Sequence, residues 1–238
     1  MSATSAKSRG LHDRRLFVGA ALGAVAIVFA GFARTYFLRG FFFHDPLPLL
    51  LHIHGAVMFA WFVLFFVQTC LVETNHVSLH RRLGVLGATS AVAMLILGPY
   101  VAFHALTREV HGHTRAIPFF ALIVGFDLAI MLLFAVFVAC AIALRRTRTD
   151  FHKRLMLLAT LSLLAFPIAR FQFLDSNLEA LLIADLCALL CVAYDTFRHH
   201  RLHPAFAIGA PAIFAVTHLA YLGFQTQAWV QFATGLVS

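Results

Sequence analysis

The stretch Ile117–Leu144, IPFFALIVGFDLAIMLLFAVFVACAIAL, decides the fold. Its only charged side chain is Asp127. As a helix rising about 1.5 Å per residue it is longer than the roughly 30 Å of bilayer hydrocarbon. Backbone polar groups cannot go unpaired in lipid, so an apolar run of this length spans a membrane as a helix. Working outward, six further runs behave alike: Leu16 to Leu38, Leu47 to Val72, Leu83 to Leu106, Leu155 to Leu174, Leu178 to Phe197 and Ala205 to Phe224. None has the short alternating pattern of a barrel strand. The expectation is an all-α integral membrane bundle of seven transmembrane helices forming a single domain over residues 1–238. Residues 1–15 then make a basic tail and residues 225–238 a short outer tail.

Composition agrees. The chain is 61% hydrophobic and 12% charged with 26 Phe, which leaves no polar surface for a soluble domain. The formal charge of +8 sits in short clusters between apolar runs, so it reads as a topology signal rather than a nucleic-acid surface. Lys7, Arg9, Arg14, Arg15, Arg81, Arg82, Arg145, Arg146, Arg148, Lys153, Arg154, Arg198 and Arg201 fall on one side; Arg34, Arg39, Arg108, Arg115 and Arg170 fall on the other. The positive-inside rule then puts the N-terminus in the cytoplasm and, after seven crossings, the C-terminus outside. A bacterial inner-membrane protein is expected, its first helix a retained anchor because no Ala-x-Ala site closes it. Cys70, Cys140, Cys187 and Cys191 form no Cys-x-x-Cys pair and read as packing residues.

Ionisable side chains are costly in hydrocarbon, so their depth is informative. His54, His218, Asp127 and Asp185 lie about 9–14 Å below the outer ends of four helices, with His104 and Arg170 shallower. The inner half offers milder groups such as Gln68, Thr69 and Ser162, so a buried site is expected on the outer side. His52 and His54 project about 200° apart around a helix, and one of the two at most can enter a shared cavity. His54 is favoured because Gly55 beside it permits close approach of a backbone or a flat cofactor. Interhelical hydrogen bonding is the plain reading of each residue taken singly. Two histidines from different helices at equal depth also suit axial haem ligation. His52, His54, His218, Asp127 and Asp185 equally suit iron or zinc.

Two short segments repeat: Leu79-His80-Arg81-Arg82-Leu83-Gly84 opens the third helix and Phe151-His152-Lys153-Arg154-Leu155-Met156 opens the fifth. Helices two–three and four–five therefore read as related hairpins. His80 and His152 lie at the inner interface, either gripping lipid phosphates or serving a second cofactor or quinone site. His199, His200 and His203 form a further basic patch against lipid, and His44, His111 and His113 occupy outer loops.

On the paired His-Arg motifs and Leu51-His52-Ile53-His54-Gly55, helices two to five resemble bacterial multi-helix membrane proteins with HRxxG and HRxxM motifs, a likeness that implies the fold and brings no activity. The chain is also similar to cytochrome b-type membrane proteins, which implies histidine-held haem. The chain lacks a lysine inside any helix core for a retinal Schiff base, and it has no Gly-x-Ser-x-Gly elbow, P-loop or His-Glu-x-x-His run.

Three functions stay open. One is electron transfer or a membrane redox reaction. It would use a b-type haem or a transition metal held by His54 and His218, with His104, Arg170, Asp127 and Asp185 around them, and a redox partner or quinone. The second is a non-enzymatic carrier, receptor or assembly factor with a polar outer cavity. The third is a metal-dependent lipid hydrolase or hydroxylase. Membrane lipids are partners in all three.

Overall fold

The computed structural model describes the backbone of residues 3–237 and the side chains of residues 16–237. Its α-helices are α1 (Ala3–Phe32), α2 (Leu49–Glu73), α3 (Val77–His111), α4 (Ile117–Leu144), α5 (Thr149–Leu161), α6 (Ala165–Ile168), α7 (Asn177–His199), α8 (Pro204–Gly223) and α9 (Gln227–Gly235), with a π-helical turn (Ala33–Phe37) and a 3-10 turn (Arg39–Phe41) following α1. No strand occurs among the described residues. Seven segments are long and apolar enough to cross a membrane, with α5 and α6 together making the fifth. The basic side chains expected in the tail of residues 1–15 lie outside those described.

Each span returns antiparallel through a short connection. The end carrying the 73–77, 144–149 and 199–204 turns is called the basic end, and the opposite one the distal end. Asn75, His113 and His200 take positive φ values of 62°, 52° and 52° at the tight turns, where Asn and His are among the residues that tolerate the left-handed region. Ser176 caps α7 by accepting from the Glu179 backbone N–H, while Glu179 Oε2 accepts from the Asp175 backbone N–H. This Ser-x-x-Glu arrangement resembles a capping box.

The α5–α6 span is central. It packs against α1, α4, α7 and α8, while the α2–α3 hairpin lies against α1 and α4. In the most apolar window of α4 and of α5–α6, 67% of residues are buried, against 17–33% in the other spans. Those two are therefore the inner layer, and the outward faces of the rest, with residues such as Leu182, Leu186, Leu189 and Ile208 exposed, are what lipid would cover.

Two boundaries differ from the expectation in instructive ways. The fifth span starts at Thr149 rather than near Leu155, so the His152-Lys153-Arg154 run forms the first turns of a buried helix. Its far end is set by Pro167, which lacks an N–H and crowds the carbonyl four residues earlier. The chain tightens there, with Leu163 N bonded to Thr160 O and Leu164 N to Leu161 O. The stretch read as an outer tail holds α9, docked on α4: Trp229 Nε1 donates to Ala121 O at 2.8 Å, and Ala233 is fully buried. Gly125 makes room, since a β-carbon there would lie 2.3 Å from the Phe224 ring.

Candidate functional site

In the distal half, α7 and α8 bring Asp185 and His218 together, Oδ2 to Nε2 at 3.6 Å. His218 Nδ1 lies 3.0 Å from Phe214 O, and a carbonyl only accepts, so Nδ1 carries the hydrogen. The imidazole stacks on Phe214 with ring centroids 4.2 Å apart, which holds its orientation. Nε2 therefore meets the carboxylate as an acceptor when the ring is neutral. Asp185 Oδ2 and His218 Nε2 are both buried atoms with no hydrogen-bond partner among the described residues.

The remaining predicted site residues divide into an inner and an outer group. Asp127 of α4 is buried, 7% exposed, and faces α3 at Gly98, where a β-carbon would sit 3.2 Å from its Oδ2; that oxygen also has no partner. His54 of α2 is half-buried beside the Leu97 backbone carbonyl and in electrostatic range of Arg170, its Nδ1 unpaired. Gly98 and Pro99 fall inside the continuous α3 at this level: Gly removes a side chain and Pro removes the N–H that would bond the Leu95 carbonyl. Arg170 follows α6 and is exposed, its guanidinium 5.4 Å from the Phe32 ring centroid. It remains cationic, as arginines in proteins do.

His52 and His104 stand apart. His52 is exposed and lies against Tyr36, whose hydroxyl donates to His52 O at 3.1 Å. The space beside Gly55, expected to admit a flat group, is filled by that same Tyr36 ring, 2.6 Å from where a β-carbon would be. His104 is exposed and stacked on Tyr100 one turn earlier, 6.3 Å between centroids. Among the described residues no three His, Cys, Asp or Glu side chains cluster closely enough to hold a metal ion.

The expectation that the inner half offers only mild polar groups does not hold. At the basic end Arg154 of α5 and Asp195 of α7, 3% and 1% exposed, form a bidentate pair, Nε–Oδ2 at 3.0 Å and Nη2–Oδ1 at 2.7 Å. Arg154 Nη1 also donates to Asp150 O. His203 links two helices: Nε2 donates to Asp150 Oδ2 at 3.0 Å, and Nδ1 accepts from the Ala205 N–H, capping α8. Burial lowers the His203 pKa and outweighs the Asp150 hydrogen bond that raises it. Asp195 falls inside the apolar run Leu178 to Phe197, whose composition does not single it out. An acid near a helix end, ten residues from Asp185 on the same helix, was the available signal.

The repeated histidines also meet. His80 and His152 stand at right angles with centroids 6.5 Å apart. His152 Nδ1 donates to Ala141 O of the preceding helix at 2.8 Å and so latches the α4–α5 hairpin. His80 lies near the Gln68 backbone, but its Nδ1 has no hydrogen-bond partner among the described residues.

No protein-family model, curated protein or solved structure matches the chain.

Proposed function

We propose that this is a multi-pass protein of the bacterial inner membrane, N-terminus in the cytoplasm, that binds and releases a proton in the outer half of its bundle while carrying or sensing a solute. The Asp185–His218 pair carries this reading. With hydrogen on Nδ1, an ionised Asp185 and a neutral His218 present two acceptors to each other. One proton on either group relieves that conflict. At 3.6 Å the pair is too open for a good direct hydrogen bond, so neither atom is committed to the other. Asp127 and His54, each with an unpaired buried atom, are further stations for a proton in the same half.

The test is infrared difference spectroscopy of the purified protein across a pH step. A protonated-carboxyl band that titrates and disappears in Asp185→Asn supports the reading. A spectrum unchanged by Asp185→Asn and by His218→Ala sinks it.

A redox reading has one observation in its favour: His54 Nδ1 and His218 Nε2 are buried nitrogens without partners, as ligand nitrogens would be. They would hold a b-type haem, or iron or zinc, with a quinone or protein as redox partner. Visible spectra of oxidised and dithionite-reduced protein, with metal analysis, test it. A reducible Soret band would displace the proton reading, colourless bound metal would favour the hydrolase or hydroxylase chemistry, and colourless metal-free protein would retire both.

A further inference from the structure

At the distal end, α1 crosses α6 so closely that a β-carbon on Gly31 would lie 2.1 Å from Pro167 O. Three residues on from that contact in each segment stand Arg34, in the π-helical turn Ala33–Phe37, and Arg170, just past the end of α6, and both line the space beside the crossing. Two guanidinium groups thus reach one cleft of about 390 Å³, whose walls are apolar apart from Gln172: Ala30, Leu38, Phe171 and Phe173 among them.

Neither cation is neutralised. Arg34 Nη1 donates to Gln172 Oε1 at 2.5 Å, a neutral acceptor, and its guanidinium lies 5.4 Å from the Phe42 ring centroid. Arg170 rests on Phe32. Among the described residues no carboxylate pairs with either, whereas Arg108, at the same end, has Glu109 at 2.9 Å. Two like charges held on a shared wall repel, and an anion between them removes that cost.

The cleft opens at the ends of two candidate spans, Leu16–Phe37 and Thr149–Ile168, which is the depth of lipid headgroups. Phe173, 75% exposed, lines it and offers an apolar ring to an acyl chain. A wall that is cationic in two places and largely apolar elsewhere fits an amphiphile better than a fully hydrated ion.

We infer that this cleft binds the phosphate headgroup of an anionic phospholipid, clamped between Arg34 and Arg170 with Gln172 orienting Arg34. Arginine suits this because its planar fork of donors matches phosphate oxygens. The site uses none of the residues of the Asp185–His218 pair, so it stands or falls separately.

The test uses full-length protein, delipidated in a nonionic detergent and titrated with short-chain phosphatidylglycerol, phosphatidylcholine or inorganic phosphate, with bound molecules counted by native mass spectrometry. One phosphatidylglycerol per chain, retained at least tenfold more tightly than phosphatidylcholine, is expected. Arg34→Gln/Arg170→Gln should lower that retention about tenfold or more, and Arg108→Gln should not. Arg34→Gln alone, at an exposed side chain, serves if the double variant fails to fold, with a smaller loss expected. Equal retention of the two lipids, or retention unchanged in the variants, overturns the assignment. Inorganic phosphate bound as tightly as phosphatidylglycerol overturns it in favour of a soluble anion.

Discussion

Arg154–Asp195 and Asp185–His218 are both charge pairs made across α7, about 15 Å apart along it, and they are built to opposite standards. In the first, the Asp195 carboxylate receives two donors from Arg154, whose third nitrogen is spent on Asp150 O. Around it His203 has both ring nitrogens used. In the second, the facing atoms have no hydrogen-bond partner and stand 3.6 Å apart. Burial alone does not separate them, since Asp127 at 7% exposure and Asp185 at 9% are also buried. What separates a lock from a candidate site is whether each donor and acceptor is satisfied. A satisfied pair fixes which helices meet; an unsatisfied one keeps the capacity to take up a proton or a ligand.

The largest effect should come from breaking the lock. Asp195→Asn leaves Arg154 buried beside a neutral amide, a loss of about 3–5 kcal/mol. Thermal unfolding in detergent should show a collapsed transition or poor recovery of folded protein. Arg154→Met/Asp195→Leu removes both charges at once and should restore most of that loss. A double variant as unstable as Asp195→Asn would mean that the arginine, and not its loss of a counter-charge, dominates.

How legible each region was follows from the same contrast. Seven spans could be counted because bilayer thickness sets helix length whatever the neighbours do. The angle between His52 and His54 was legible too: 200° of rotation separates them, and His52 indeed lies outside against Tyr36. The burial of Arg154 was not legible. A His-Lys-Arg run after a basic loop has the composition of an interfacial anchor, and only the central position of α5, a tertiary fact, turns it inward onto Asp195. His104 shows the limit in the other direction. Depth was readable from residue counting, but the face it takes, stacked on Tyr100, depends on which side of α3 meets α2 and α4.

An effect of intermediate size should appear with pH at the basic end. His203 accepts the Ala205 N–H on Nδ1, so its neutral form is the one the fold uses, and burial holds its pKa below the ordinary value. The unfolded chain then binds the proton more readily. Stability should be full above the ordinary histidine pKa, near 6.5, and fall as pH drops through it to the lower folded value. His203→Gln should lower stability at neutral pH by about 1 kcal/mol, through the weakened cap, and flatten that acid slope. A slope unchanged in His203→Gln would assign the acid sensitivity to another group.

The smallest stability change is expected at the pair that looks most like a salt bridge. If Asp185–His218 stabilised the bundle as Arg154–Asp195 does, Asp185→Asn would cost several kcal/mol. The geometry argues otherwise: an asparagine amide can donate to the lone pair on His218 Nε2 without any proton being supplied, so it satisfies by itself what the carboxylate leaves open. Asp185→Asn should therefore leave the melting temperature unchanged or raise it by a few degrees. It should also remove the dependence of the α7–α8 contact on pH. Protection factors of the backbone amides around Ala184 and Thr217, taken at two pH values after correction for the intrinsic pH dependence of amide exchange, read that dependence. If protection in the unsubstituted chain varies with pH and in Asp185→Asn does not, the pair is a proton site placed where stability was given up for it. A large loss of stability would instead make both pairs locks, and the distal half would keep only Asp127 and His54 as groups awaiting a partner.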